Sequence, residues 1–129
     1  MTNISFATSR YIGDMIEGTK TTTIRRNWAR WVQEYEARHD LHVYYGSWRS
    51  PNCVFVGKCK LEMVKVLRGS QLTYEDARAD GCDHLVGLYD ALRVLYDMSL
   101  EQVLEHKWAV LYMGEWLIGP NWPGEQGPA

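Results

Sequence analysis

Two hydrophobic periods run through this chain, and they do not take regular turns. The clearest is a period of two from Phe55 to Met63. Phe55, Cys59, Leu61 and Met63 share one side, and Lys58, Lys60 and Glu62 share the other. Successive side chains of a strand leave opposite faces, so this pattern predicts a half-buried strand, running on toward Val66. Ile4–Phe6, Thr21–Arg25, Leu41–Tyr45 and Trp108–Met113 read as further strands. Between them the period changes to that of a helix. Tyr11, Ile12, Met15 and Ile16 follow Thr8 and stop at Gly18. Trp28, Trp31, Val32 and Tyr35 lie at i, i+3, i+4 and i+7 and predict a one-faced helix over 28–38. Thr73 with Asp76, and Ser99 with Gln102, form capping boxes for two short helices, the first stopping at Gly81. Asp83 is expected to cap a longer helix with Leu85, Leu88, Leu92 and Leu95 on one face. Strands and helices mix without regular βαβ alternation. That favours an α+β fold whose mixed sheet curls into a small barrel flanked by helices.

At 129 residues the chain holds one core, and 1–118 reads as a single domain. Residues 119–129 are rich in Gly and Pro and are expected to be extended, with Trp122 the residue able to dock. Gly46–Asn52 reads as a loop.

The polar chemistry concentrates in Gly18-Thr19-Lys20-Thr21-Thr22-Thr23-Ile24-Arg25-Arg26. A Lys, three hydroxyls and two guanidiniums can hold an anion, move a proton or attack a carbonyl. A rigid strand is a good base from which to aim them. In a regular strand, however, Lys20 and Thr23 point to opposite faces. They share a face only if Lys20 sits in the turn after Gly18 or on a bulge.

Net charge is −2, which argues against a general nucleic-acid binder. The charge is unevenly spread: residues 1–70 carry +5 and residues 71–129 carry −7. A basic half of this kind suits a phosphate-bearing ligand. No apolar run reaches membrane-spanning length. Met1–Ser5 has neither a basic nor an apolar leader pattern, so a cytoplasmic location is expected. Three Cys without a CxxC spacing fit reduced thiols; Cys53 and Cys59 on one strand would stand roughly 20 Å apart. His39 and His42 make a poor metal pair, and no P-loop, dinucleotide fingerprint or G-x-S-x-G is present. The sequence therefore predicts neither a metal nor a cofactor.

Four segments in order resemble the ASCH domain, a member of the PUA-like barrel group. Gly18–Arg25 is similar to the family's G-x-K-T-x-T-x-R signature. His39-Asp40 stands before a strand where the family usually has Gly-Asp. Leu72–Gly81 is similar to a stretch that usually reads L-T-x-E-D-A-x-x-E-G, and Trp108–Met113 is the closing strand. The resemblance covers residues 4–116. It implies a small barrel with a cleft walled by the Lys/Thr strand, and RNA-related roles. Some small bacterial members hydrolyse the acetyl amide of N4-acetylcytidine with a Lys, a Thr and a Glu; other members are ribonucleases.

Carried over, these are Lys20, Thr23 and Asp80. The resemblance implies Thr23 as nucleophile or water holder, Lys20 as its proton acceptor, and Asp80 as the group that steers Lys20 or protonates the departing amine. Arg25, Arg26, Tyr44 and Trp48 are the expected substrate contacts. Asp80 is one methylene shorter than Glu, about 1.5 Å less reach, which matters at a catalytic centre. The helix over 28–38 is an addition beside the cleft. A non-catalytic RNA- or nucleotide-binding module, an ASCH-type ribonuclease and a protein-interaction domain are the competing readings. The expected partner is a nucleoside or RNA; oligomeric state is left open.

Overall fold

A computed structural model describes residues 2–46 and 51–122. The chain runs β1 (Thr2–Phe6), α1 (Ser9–Glu17), β2 (Thr22–Arg25), α2 (Trp28–Glu36), β3 (Leu41–Tyr45) and β4 (Val54–Arg68). A 3-10 turn at Gly69–Gln71 leads to α3 (Tyr74–Ala79), α4 (Leu85–Tyr96), α5 (Leu100–Glu105) and β5 (Lys107–Ile118). The strands form one sheet in the order β1-β3-β4-β5-β2, parallel only between β1 and β3. The sheet is thus the expected curled α+β half-barrel, with β1 and β2 as its two edges.

The long β4 holds the sheet together and bends it. Its pairing steps from Val43↔Gly57 to Tyr44↔Phe55, leaving Val56 as an extra residue. Against β5 the register shifts three times, the last between Leu61↔Met113 and Met63↔Tyr112. Each bulge reverses the facing of the residues beyond it. Cys59 and Leu61 are therefore buried as predicted, whereas Phe55 and Met63 are exposed and Val56 is inside.

Both faces of the sheet are covered. On one, Ile4, Phe6, Leu41, Val43, Val56, Ala109 and Leu111 pack with Ile12 and Met15 of α1 and Trp31 of α2. On the other, Ile24, Trp108 and Val110 pack with Ala77, Leu88, Leu92 and Val103 from the later helices. This explains why Trp108 to Leu111 are all buried rather than alternating.

The helices start largely where their caps predict. Thr73–Asp76 and Ser99–Gln102 both form reciprocal capping boxes. Helix α4 differs: His84, not Asp83, precedes its first turn and makes no side-chain cap, while Asp83 pairs with Arg78 at 3.6 Å. Only Trp31 of α2 is buried; Trp28 and Tyr35 lie at the surface. The left-handed residue after α2 is Arg38 (φ 59°). His39 is thereby free to bond Glu34, whose carboxylate also accepts from the Thr2 hydroxyl and ties α2 to β1. Of the tail, residues 119–122 lie against the sheet. The Asn121 amide donates to the Val56 carbonyl at 2.8 Å, and Trp122 meets Tyr45 edge-on at 5.0 Å.

Candidate functional site

The site begins at the end of α1. Gly18 takes the left-handed conformation (φ 83°), which a Cβ would strain, and closes the helix. The Thr19 and Lys20 amides then both donate to the Asp14 carbonyl, at 3.0 and 3.1 Å. Lys20 is thus held in a turn before β2, which starts at Thr22. This resolves the facing conflict by the first of the two expected routes: Lys20 lies outside the strand alternation, and both it and Thr23 line one cavity.

Asp80 comes to Lys20 from the far end of α3. The Thr21 amide donates to the Ala79 carbonyl at 2.8 Å and staples the two segments together. Lys20 Nζ then donates to Asp80 Oδ1 at 2.8 Å and to the Asp80 carbonyl at 3.0 Å. Two of its three N–H donors are spent on one residue. The ammonium also stands 5.3 Å from the centre of the Tyr11 ring. Lys20 is only 4% exposed, so the pair is shielded from bulk water. The loss of a methylene relative to Glu does not separate them, because the α3 terminus delivers Asp80 directly. Gly81 (φ 91°) packs beside Lys20 and makes the turn that follows.

Burial pushes the Asp80 carboxyl up, against the opposing pull of Lys20 and Arg25. Burial, with help from the Asp80 charge, also pushes up the Tyr11 hydroxyl and the Cys82 thiol. The site therefore has one carboxylate whose charge is costly to bury and is held there by Lys20 and Arg25.

The cavity has a volume of about 320 Å³. That is at the small end of the ~300–1,000 Å³ usual for ligand pockets. Lys20, Thr23, Arg25, Asp80, Ser5 and Thr8 make its polar wall. Ile24, Leu88, Ala91, Leu92, Leu95 and Tyr96 make its apolar wall. Among the described residues, no hydrogen-bond partner takes the Thr23 hydroxyl.

The expected substrate contacts divide. Arg25 lines the cavity, and its Nη2 donates to the Ser5 carbonyl at 3.0 Å, spanning the open seam between β2 and β1. Arg26 faces outward, and its carbonyl lies 3.2 Å from His106 Nε2. Tyr44 stands on the other face of the β1–β3 pair, edge-on to Phe55 at 5.4 Å. Neither belongs to this cavity, because strand alternation turns each away from its inward neighbour. Trp48 lies outside the described residues. The reading from sequence missed Tyr11, Tyr96 and the α4 wall. Leu88 and Leu92 carry an ordinary core signal, and nothing in the sequence distinguishes a core leucine from one that also walls a cavity.

No family model and no curated protein matches the sequence. Solved structures do match. The ASCH domain from Lactobacillus crispatus JV V101 superposes with a TM-score of 0.63 at 10% identity, over 91% of this chain and 80% of that one. A DUF984 protein from Enterococcus faecalis V583 gives 0.60 at 14% identity, over 92% and 81%. The chain has the ASCH fold.

Proposed function

We propose that this chain of ASCH fold is a hydrolase of a small acylated ligand, with the acetyl amide of N4-acetylcytidine as the first substrate to test. The observation that carries the reading is the shielded Lys20–Asp80 pair, closed at 2.8 Å, in a cavity that Thr23 also lines. Burying two charges is costly and is weak evidence for stability. Lining one cavity with the Thr23 hydroxyl gives them a chemical use.

In this reading the Thr23 Oγ attacks the acetyl carbonyl and forms the new C–O bond. Its proton passes to the Lys20–Asp80 couple, which gains one positive charge as the carbonyl oxygen gains one negative charge. The couple returns the proton to the departing amine as the C–N bond breaks. Water then cleaves the acetyl-Thr ester and restores the hydroxyl. Asp80 accepts from Lys20 Nζ at 2.8 Å and so holds the lysine in the position from which the couple takes the proton. The apolar wall from α4 limits the water beside the reacting bond.

Release of cytidine from N4-acetylcytidine is the assay. Lys20→Ala and Thr23→Ala are each expected to lower kcat/KM by at least ~10²-fold, the usual loss for a group in acid–base or nucleophilic catalysis. Absence of turnover, or turnover unchanged in both variants, would remove the amidohydrolase reading.

A further inference from the structure

We infer that the cavity holds its ligand by an anionic oxygen group, a phosphate or a carboxylate, seated between the Arg25 guanidinium and the N-terminus of α1. The charges on the cavity wall come first. Among the described residues its charged groups are Lys20, Arg25 and Asp80. Lys20 and Asp80 neutralise one another. Among the described residues Arg25 has no carboxylate within salt-bridge distance, and the acid whose charge it feels is Asp80, already taken. The wall is left with one uncompensated positive charge.

That charge is held in place rather than free to swing into water. Nη2 is fixed to the Ser5 carbonyl, the guanidinium lies 5.0 Å from the Phe6 ring centre, and Nε is closed off from solvent without a partner. A buried donor without an acceptor costs free energy, and a buried cation without a counter-ion costs more. An anionic ligand against the guanidinium in the cavity removes the second cost.

The second observation is independent of Arg25. The first turn of α1 opens on the same cavity through Ala7, Thr8 and Tyr11. Thr8 occupies the capping position but makes no side-chain cap, and no acidic residue lies in that turn. The Tyr11 amide is spent on the Thr8 carbonyl at 3.2 Å, which leaves the Ser9 and Arg10 amides and the positive end of the helix dipole for an anion. Arg25 is anchored on Ser5 and Phe6, three to four residues before that helix begins, so both features belong to one corner of the cavity.

The anion site stands without the hydrolase reading; it rests on that reading only for what the anion is attached to. If both hold, an acylated anion is a better substrate than the neutral nucleoside.

Calorimetric titration with inorganic phosphate and with acetate tests the site directly. Both are expected to bind with one site, and the tighter of the two names the source. Arg25→Gln is expected to weaken binding at least about tenfold, as for loss of a charge-assisted hydrogen bond. Asp80→Asn is expected to tighten it. Because Arg25 also closes the seam, Thr8→Asp provides a variant with a good helix cap: it should stay folded and bind anions poorly. No saturable binding of either ion, or binding unchanged in both Arg25→Gln and Thr8→Asp, would overturn the proposal. In the acyl assay, N4-acetylcytidine 5′-monophosphate and N-acetylglycine are compared with N4-acetylcytidine. Preference for a charged substrate supports the proposal, and preference for the neutral one counts against it. Anion binding without any acyl turnover would sustain the site and sink the hydrolase.

Discussion

Lys20 shows how one residue can be costly to the fold and central to the site. It is buried, and its charge is balanced by Asp80 alone. Replacing only the lysine strands a buried carboxylate. Lys20→Met is therefore expected to lower stability by about 3–5 kcal/mol, read as a shifted urea midpoint at constant slope. Lys20→Met with Asp80→Leu should recover most of that loss, since a packed apolar pair often equals a buried ion pair. Recovery would mean that selection for something other than stability maintains the charges. Cysteine reactivity offers a separate check at this scale. Burial, then the Asp40 charge, pushes the Cys59 thiol up to about 12. In the native protein Cys59 should resist a thiol-specific reagent at neutral pH and react only on unfolding, while the less buried Cys53 is modified first.

At the scale of the element, α3 is the part whose order matters most to the site, because Asp80 caps its C-terminus. Six residues are too few to hold a helix by propensity. Its start is held by Asp76, which accepts from the Thr73 amide at 2.8 Å and pairs with Lys65 at 3.0 Å. Burial alone would raise the Asp76 carboxyl, but the Thr73 amide and Lys65 outweigh it and hold the group below 3.8. A lowered folded-state value means that Asp76 contributes stability above the ordinary carboxylate range. That contribution is lost as pH falls through the lowered value. Asp76→Asn should therefore cost about 1–2 kcal/mol at neutral pH and flatten the acid limb of the stability curve. The same variant should reduce turnover through Asp80, although Asp76 does not line the cavity. The capping box was legible in the sequence because its parts lie three residues apart. The Lys65 partner was not, because β4 supplies it across the fold. Gly69 makes the matching point for α5: a Cβ there would stand 1.9 Å from the Val103 carbonyl oxygen. Gly69→Ala is expected to destabilise by about 1–3 kcal/mol, the usual cost of overpacking, measured by thermal unfolding.

Over the whole molecule, the sheet stays open between β1 and β2, and Arg25 closes that seam with a side chain where a closed barrel would use backbone ladders. The cavity lies along this seam, walled by α1 on one side and α4 on the other. An open seam is a cost to the fold and the condition for a site. Local signals along the sequence sufficed to determine the α+β class, most element positions, the two capping boxes and the Lys20–Arg26 run as the polar centre. Caps, turns and periods act within a few residues, so they can be read from neighbours in the chain. The fate of each polar side chain depended on contacts at long range. The bulges in β4 exposed Phe55 and Met63, and strand alternation kept Arg26 and Tyr44 out of the cavity. The Thr21–Ala79 bond brought Asp80 sixty residues along the chain to Lys20. The helix spacing of Leu88 and Leu92 predicted burial, which is correct. Only the packing of α4 over the seam made that buried face one wall of a cavity, because a cavity belongs to the gap between elements and not to any one of them.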